Sequence, residues 1–223
     1  MNPYDLFIEQ SKEVFISFPK LRVEKKDDNV PILIGEIDII DDTGKYWENY
    51  LIEIHCTPEF PNRFPLVYEV GGKLPRIGDW HINEDSKTCC ICVLQEELLI
   101  CKEGVSLLKF IQNQVLPYFF NQTHRRVEGY YVNGEYSHGI LGIVEFYSRE
   151  LRTQNPLEII QLLNYIQQGK EPHRIDLCFC GSRKKYRKCH RESFRKLINL
   201  GQFRISADIE YIYKLVYSVN CKS

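Results

Sequence analysis

The chain has 223 residues, enough for one large or two small domains, and 43% of them are hydrophobic and 13% aromatic, ample for a packed core. Its 29 basic and 30 acidic residues nearly cancel, so no global field favours nucleic acid or a membrane surface. No apolar run approaches the ~18 residues needed to span a bilayer, and Met1-Asn-Pro-Tyr-Asp is not a secretory leader, so a cytoplasmic protein is expected. Nine cysteines are many for a reducing compartment, where they read as metal ligands, nucleophiles or buried thiols rather than disulfides.

Residues 3 to 17 carry Tyr4, Leu6, Phe7, Val14 and Phe15 in a polar background, which predicts an amphipathic first helix. EKKDD is a polar turn. LIGEIDII and NYLIEIHC alternate as strands about the turn DDTGK. The next segment, TPEFPNRFPLVYEV, is spaced by Pro58, Pro61 and Pro65. Each proline fixes φ and removes a ladder donor, so this stretch is expected to be extended without being a central strand, and to end in a short β run.

His81 and Asn83 follow, then a polar turn, then Cys89, Cys90 and Cys92, expected on a strand. A His–x–Asn turn beside a cysteine suits a nucleophile: imidazole can order the turn and the Asn amide can donate to an oxyanion. The bland alternative is a loop feeding a strand whose cysteines are small core hydrophobes. VSLLKFIQNQVLPYFF reads as a helix starting near Gly104, which would set Cys101, beside Lys102, at a helix N-terminus. Each influence favours the thiolate by about 0.3–1 kcal/mol at an exposed site. EGYYVNGEYSHG holds His138 between glycines, as a turn-lining group or a site residue. IVEFYSREL and, after Asn155-Pro156, LEIIQLLNYIQQGK read as helices, and SFRKLINLG and DIEYIYKLVYSV close the chain as two more.

Helix, meander, proline-spaced segment, His–x–Asn, cysteines and helix come in the order of the ubiquitin-conjugating (E2) fold, which residues 1–125 resemble. PEFPNRFPLVYEV stands where that family has a YPxxPP-type segment, His81-Ile82-Asn83 where it has His-Pro-Asn, and Cys89-Cys90-Ile91-Cys92-Val93-Leu94 where it has Ile-Cys-Leu-Asp-Ile-Leu. Ile82 replaces the proline, the turn after Asn83 is shorter, and no tryptophan follows the cysteines. The resemblance implies an α/β (α+β) domain, an antiparallel meander sheet flanked by helices. It further implies a thioester-forming enzyme that carries a partner protein's C-terminus and transfers it to a lysine. The motif alignment puts the nucleophile on Cys90 and the thiolate argument puts it on Cys101, with Cys89 behind both; His81 and Asn83 are the expected auxiliary residues. Bacterial members of this family stand in antiphage (CBASS-type) operons beside a cGAS-like nucleotidyltransferase, the protein partner so implied. A non-catalytic E2-like adaptor is the alternative.

A helical extension is expected over 126–170 and a separate module over 171–223. In the latter, CFCGSRKKYRKCH sets Cys178 and Cys180 one residue apart and Cys189 beside His190, and Gly181 permits a sharp reversal. Three thiolates and an imidazole make a closed tetrahedral set suited to structural zinc. This stretch resembles the SEC-C motif, whose zinc is structural. Arg183, Lys184, Lys185, Arg187, Lys188, Arg191, Arg195 and Lys196 make it basic. Such a run can grip phosphates, with Tyr186 and Phe194 stacking on RNA bases, or dock an acidic protein. The balanced total charge favours the protein, so nucleic acid is not the expected partner.

Overall fold

The structure is a computed structural model that describes residues 1–26, 29–132, 134, 137 and 139–220. It divides into two compact units, Met1–Cys92 with Ile100–Glu135, and Val93–Leu99 with Tyr136–Ser223. The expected boundary at residue 125 falls inside a helix, and residues 93–99 join the second unit because Val93, Leu98 and Leu99 pack on its core. Among the described residues no helix is long and apolar enough to cross a membrane.

In the first unit, α1 (Pro3–Ser17) starts with the Asn2 side chain accepting from the Asp5 amide, which satisfies one of the amides left open at a helix start. Four strands follow: β1 (Leu21–Lys25), β2 (Pro31–Ile40), β3 (Tyr46–His55) and β4 (Leu66–Glu69). They pair antiparallel in the order β1-β2-β3-β4, the expected meander. Alternation sets the faces: the pairs Leu33–Ile54 and Ile37–Tyr50 point into the core, while Glu36 and Leu51 point outward. At Gly35, φ is +148° and a Cβ would stand 2.1 Å from the Lys20 carbonyl oxygen, so only glycine lets the chain entering β1 approach β2 this closely. The DDTGK turn is built on Asp41, whose carboxylate accepts from the Thr43 amide and hydroxyl, the Lys45 amide and the Trp47 indole. The Thr43 hydroxyl, with the indole, holds this carboxyl well below the usual range.

Two expectations for the middle of the unit are corrected. The proline-spaced segment is not extended: Phe60 and Arg63 amides close turns onto Thr57 and Glu59, and the Phe60–Pro61 bond is cis. Nor do the cysteines lie on a strand. Cys89 makes one isolated bridge to Ile82, and α2 (Leu94–Ile100) begins directly after Val93.

A helical run closes the unit: α3 (Leu107–Phe110), a π-helical stretch (Ile111–Val115) and α4 (Leu116–Glu128). Ser106 caps it, its side chain accepting from the Lys109 amide. Leu107, Ile111, Val115, Phe119 and Thr123 are buried along it, and with Phe7 and Val14 of α1 most of them complete the core against the sheet.

The second unit consists of α2 with α5 (Ile140–Leu151), α6 (Pro156–Ile166), α7 (Arg191–Leu197) and α8 (Gln202–Asn220), and the expected C-terminal helices are present. Its own apolar core joins Phe146, Leu163, Phe194 and Ile205. Cys178 and Tyr186 of the knuckle belong to the same core, so the knuckle and closing helices expected over 171–223 share it with α5 and α6. His138 lies outside the described residues.

The aromatic layer between sheet and α4 supplies a test. Phe119 is fully buried, with its ring 4.7 Å from that of Tyr50 and 5.0 Å from that of Tyr118. Phe119→Ala is expected to cost about 3–5 kcal/mol in urea unfolding of the chain; a loss below about 1 kcal/mol would mean that this layer is not the core of the unit.

Candidate functional site

The cysteine site is organised by a short 3-10 turn, Gly78–Trp80, which leaves His81 left-handed at φ +49°. That conformation is uncommon for a residue with a Cβ and persists where neighbours over-determine it. Here α4 does so. Tyr118, Gln122 and Arg125 lie on one helix face at i, i+4 and i+7 and all reach the turn. The Tyr118 hydroxyl donates to the His81 carbonyl at 3.0 Å, and the Gln122 amide donates to the Trp80 carbonyl at 3.1 Å. The Arg125 guanidinium donates to the Asp79 carbonyl and pairs with its carboxylate. It also sits 4.3 Å from the Trp80 ring centroid and 4.9 Å from that of Tyr131, whose ring meets His81 edge-on.

The turn is tied to the cysteines by backbone. The Cys90 amide donates to the His81 carbonyl at 2.7 Å, and the Cys89 amide donates to Val67 of β4 at 2.7 Å. The Asn83 side-chain amide donates to the Thr88 hydroxyl at 2.8 Å, and its backbone amide donates to the Thr88 carbonyl, closing the polar turn between them. His81, Asn83 and Cys90 are thus brought together. His81 orders the neighbourhood through its carbonyl, and its ring packs against Tyr131.

The thiols differ. Cys89 is buried, and burial pushes it up to about 12, against the opposing effect of the nearby Tyr118 hydroxyl. Cys90 is half-buried and is likewise raised by burial. Cys101 is 1% exposed, which removes it from contact with a large acyl substrate. The expectation that it opens a helix is corrected: it follows the last residue of α2 in a 3-10 turn that ends at Gly104 (φ +85°), and the next helix begins only after Ser106. A helix C-terminus opposes a thiolate. The sequence reading also missed Tyr118, Gln122 and Arg125. Their helical spacing was visible, but nothing in it pointed to the turn at 78–81.

The second site is the knuckle. The ligand atoms of Cys178, Cys180, Cys189 and His190 all lie within 4.8 Å of one another. Cys180 and Cys189 sulphurs are 3.6 Å apart, and His190 Nδ1 stands 3.5 Å from Cys178 Sγ and 3.4 Å from Cys189 Sγ. A tetrahedron with zinc–sulphur bonds of about 2.3 Å and a zinc–nitrogen bond of about 2.0 Å has edges of about 3.5–3.8 Å, which these three distances match.

The surroundings fit as well. His190 Nε2 donates to the Leu151 carbonyl at 2.8 Å, which leaves the Nδ1 lone pair turned to the sulphurs, as a metal ligand requires. Backbone amides of Cys180 and His190 donate to Cys178 Sγ, and the Ser182 hydroxyl lies 3.1 Å from Cys180 Sγ. Donors aimed at sulphur favour the thiolate, the form that binds metal. A hairpin holds the loop, with the Cys178 amide on the Lys184 carbonyl and the Tyr186 amide on the Asp176 carbonyl. All four positions are filled by protein, so a bound zinc would be structural.

Tyr186 and Phe194 are buried in an aromatic cluster with Phe179, which itself stacks on Tyr165 at 4.4 Å; the expectation that they could stack on bases is corrected. Arg195 pairs with Glu171 and Lys196 with Glu150, which leaves Arg183, Lys184, Lys185, Arg187 and Lys188 as the exposed basic face.

One zinc per chain is expected by native mass spectrometry. Cys178→Ser with Cys189→Ser should abolish it and lower the melting temperature of the second unit, because metal binding contributes to its folding. Full occupancy in the double variant would rule out this ligand set. At the other site, burial raises the Cys90 thiol above its ordinary value, so less thiolate is present at neutral pH. Its alkylation rate should therefore climb by about tenfold per pH unit to beyond pH ~9; a plateau near neutrality would contradict the burial found here.

Residues 176–192 match the SEC-C motif, the stretch that carries all four ligands. No curated protein and no solved structure matches the chain.

Proposed function

We propose that the first unit is an E2-like acyl carrier in which Cys90 takes the C-terminal carbonyl of a partner protein as a thioester and passes it to a lysine. The observation that supports this reading best is the 2.7 Å bond from the Cys90 amide to the His81 carbonyl. It joins Cys90, a half-buried thiol next to the His–x–Asn turn, to that turn, downstream of a four-stranded antiparallel meander, in the order of the conjugating fold. Cys90 is preferred to Cys101, which is buried beyond the C-terminal end of α2.

In loading, the Cys90 sulphur attacks the acyl carbon of a partner activated by a separate enzyme. The sulphur–carbon bond forms, the activating group leaves with its electron pair, and the thiol proton goes to that group or to water. In transfer, a lysine amine attacks the same carbon, the sulphur–carbon bond breaks with its pair returned to Cys90, and the amine proton restores the thiol. Thr88 engages one N–H of the Asn83 amide, and its second N–H is the one offered to the acyl oxygen. His81 acts as an orienting residue. A raised thiol is a slower leaving group, so it would hold the acyl chain with less loss to water. The zinc knuckle serves as a structural element. The partner is a protein with a C-terminal conjugation tail, a cGAS-like nucleotidyltransferase of an antiviral operon; the resemblance of the ordered motifs is what supports that identification.

One observation favours the alternative, a non-catalytic E2-like adaptor: burial disfavours the thiolate at both Cys89 and Cys90.

Non-reducing gels of the chain with its activated partner separate the two. An enzyme yields an adduct released by hydroxylamine, converted by Cys90→Ser into a more stable oxyester. Cys101→Ser should keep the labile adduct yet lose about 1–3 kcal/mol of stability, because it strands a hydroxyl in the core. No adduct with the wild type, or a labile adduct surviving in Cys90→Ser, would remove Cys90 as the carrier and leave the adaptor.

A further inference from the structure

The first unit contains a groove of about 650 Å³ that the thioester chemistry does not use. That volume is in the range of sites that hold a ligand or several side chains. The groove runs between the end of α1, the end of β2 and the junction of the π-helical stretch with α4. One wall is apolar: Phe18, Leu116 and Phe120 rest half-buried on the core, and Ile40 is 54% exposed at the rim.

The other wall is acidic. Among the described residues, Glu36, Asp38, Asp41 and Asp42 line it against one cation, Lys20, whose ammonium is 2.8 Å from Asp38 and 3.9 Å from Glu36. Asp41 stays ionised, since the Thr43 hydroxyl and Trp47 indole donate to it. The C-terminal end of α1 adds to the negative potential, with no basic residue in its last turn to offset the helix dipole. Low-dielectric walls lined by one sign of charge focus the field on the space between them.

We propose that this groove docks a basic segment of a partner protein, with an apolar side chain entering between Phe18, Leu116 and Phe120 and flanking lysines or arginines facing Glu36, Asp38 and Asp42. The complementarity selects this occupant: four carboxylates against Lys20 leave the wall net negative, which repels an acidic segment, and an uncharged one would leave that excess unbalanced. The proposal does not rest on the thioester reading.

Trp47 reports on the groove. Its indole donates to Asp41, and its ring centroid is 5.9 Å from that of Phe120. The full chain carrying Trp80→Phe, so that Trp47 emits alone, is titrated with a short synthetic lysine–leucine peptide and with its glutamate–leucine and serine–leucine counterparts. The lysine peptide alone should shift the emission, with an affinity that falls as salt rises. Glu36→Lys with Asp42→Lys, at exposed positions, should weaken binding by about tenfold or more and flatten the salt dependence. Ile40→Ser should weaken it while keeping the salt dependence. Circular dichroism verifies that each variant is folded, and the two act through different walls, so loss of one leaves the other as the test. No shift with the lysine peptide, equal shifts with the counterparts, or affinities within about twofold in both variants would overturn the proposal. Concentration-dependent dimerisation of the chain, lost on the same charge reversal, would assign the groove to a second copy and overturn it too.

Discussion

The His81 carbonyl accepts from two directions, from the Tyr118 hydroxyl on α4 and from the Cys90 amide. Because His81 is left-handed, its carbonyl is turned where an extended residue would not put it, and both donors converge there. Remove that oxygen from its place and the cysteine segment loses one of its two backbone tethers, since Cys90 belongs to no strand or helix. The remaining restraints serve the same point: Arg125 and Gln122 fix the preceding residues, Thr88 closes the turn behind, and Cys89 hangs on β4. The half-buried Cys90 is therefore positioned through its own backbone amide.

The second unit follows a different logic. Its knuckle is local in sequence, but its support is not. Leu151 and Glu150 at the end of α5 accept from His190 and Ser193, so the loop is docked on a helix 39 residues upstream. The aromatic cluster around Phe179 extends this docking into the core. A metal at the four ligands would thus link the loop, α5 and α7 through bonds already in place, and loss of the metal would expose buried aromatic surface rather than free a detached finger.

Legibility in the sequence tracked the range of the forces involved. The first helix, the two long strands and the DDTGK turn could be read because alternation and Asp41 act within a few residues. The four metal positions could be read because ligand chemistry leaves few other uses for such a set. The cysteine run misled because a short apolar stretch looks alike in strand and irregular backbone; its two amide bonds lead to Val67 and His81, which no local pattern reveals. Cys101 misled through Gly104: the glycine closes the turn after α2 rather than opening the next helix, and Ser106 before Leu107 was the true start signal. The α4 residues that grip the turn were hidden by distance, since Tyr118 meets a partner 37 positions away.

The π-helical stretch at Ile111–Val115 solves a problem of phase. The buried positions Leu107, Ile111, Val115, Phe119 and Thr123 recur every fourth residue. On a uniform α-helix each such step overshoots a full turn by about 40°, so the stripe would wind roughly 160° around the axis from first to last. A π turn holds more residues per revolution and rotates each one less, which takes up part of that winding. The helix can thus keep a single side toward the core over its whole length and still deliver Tyr118, Gln122 and Arg125 to the turn at its flank. The spacing of side chains near Cys90 is in this sense set by a widened turn that lies before α4 begins. A gain or loss of one residue within that turn would rotate everything after it, like a gear slipped by a tooth.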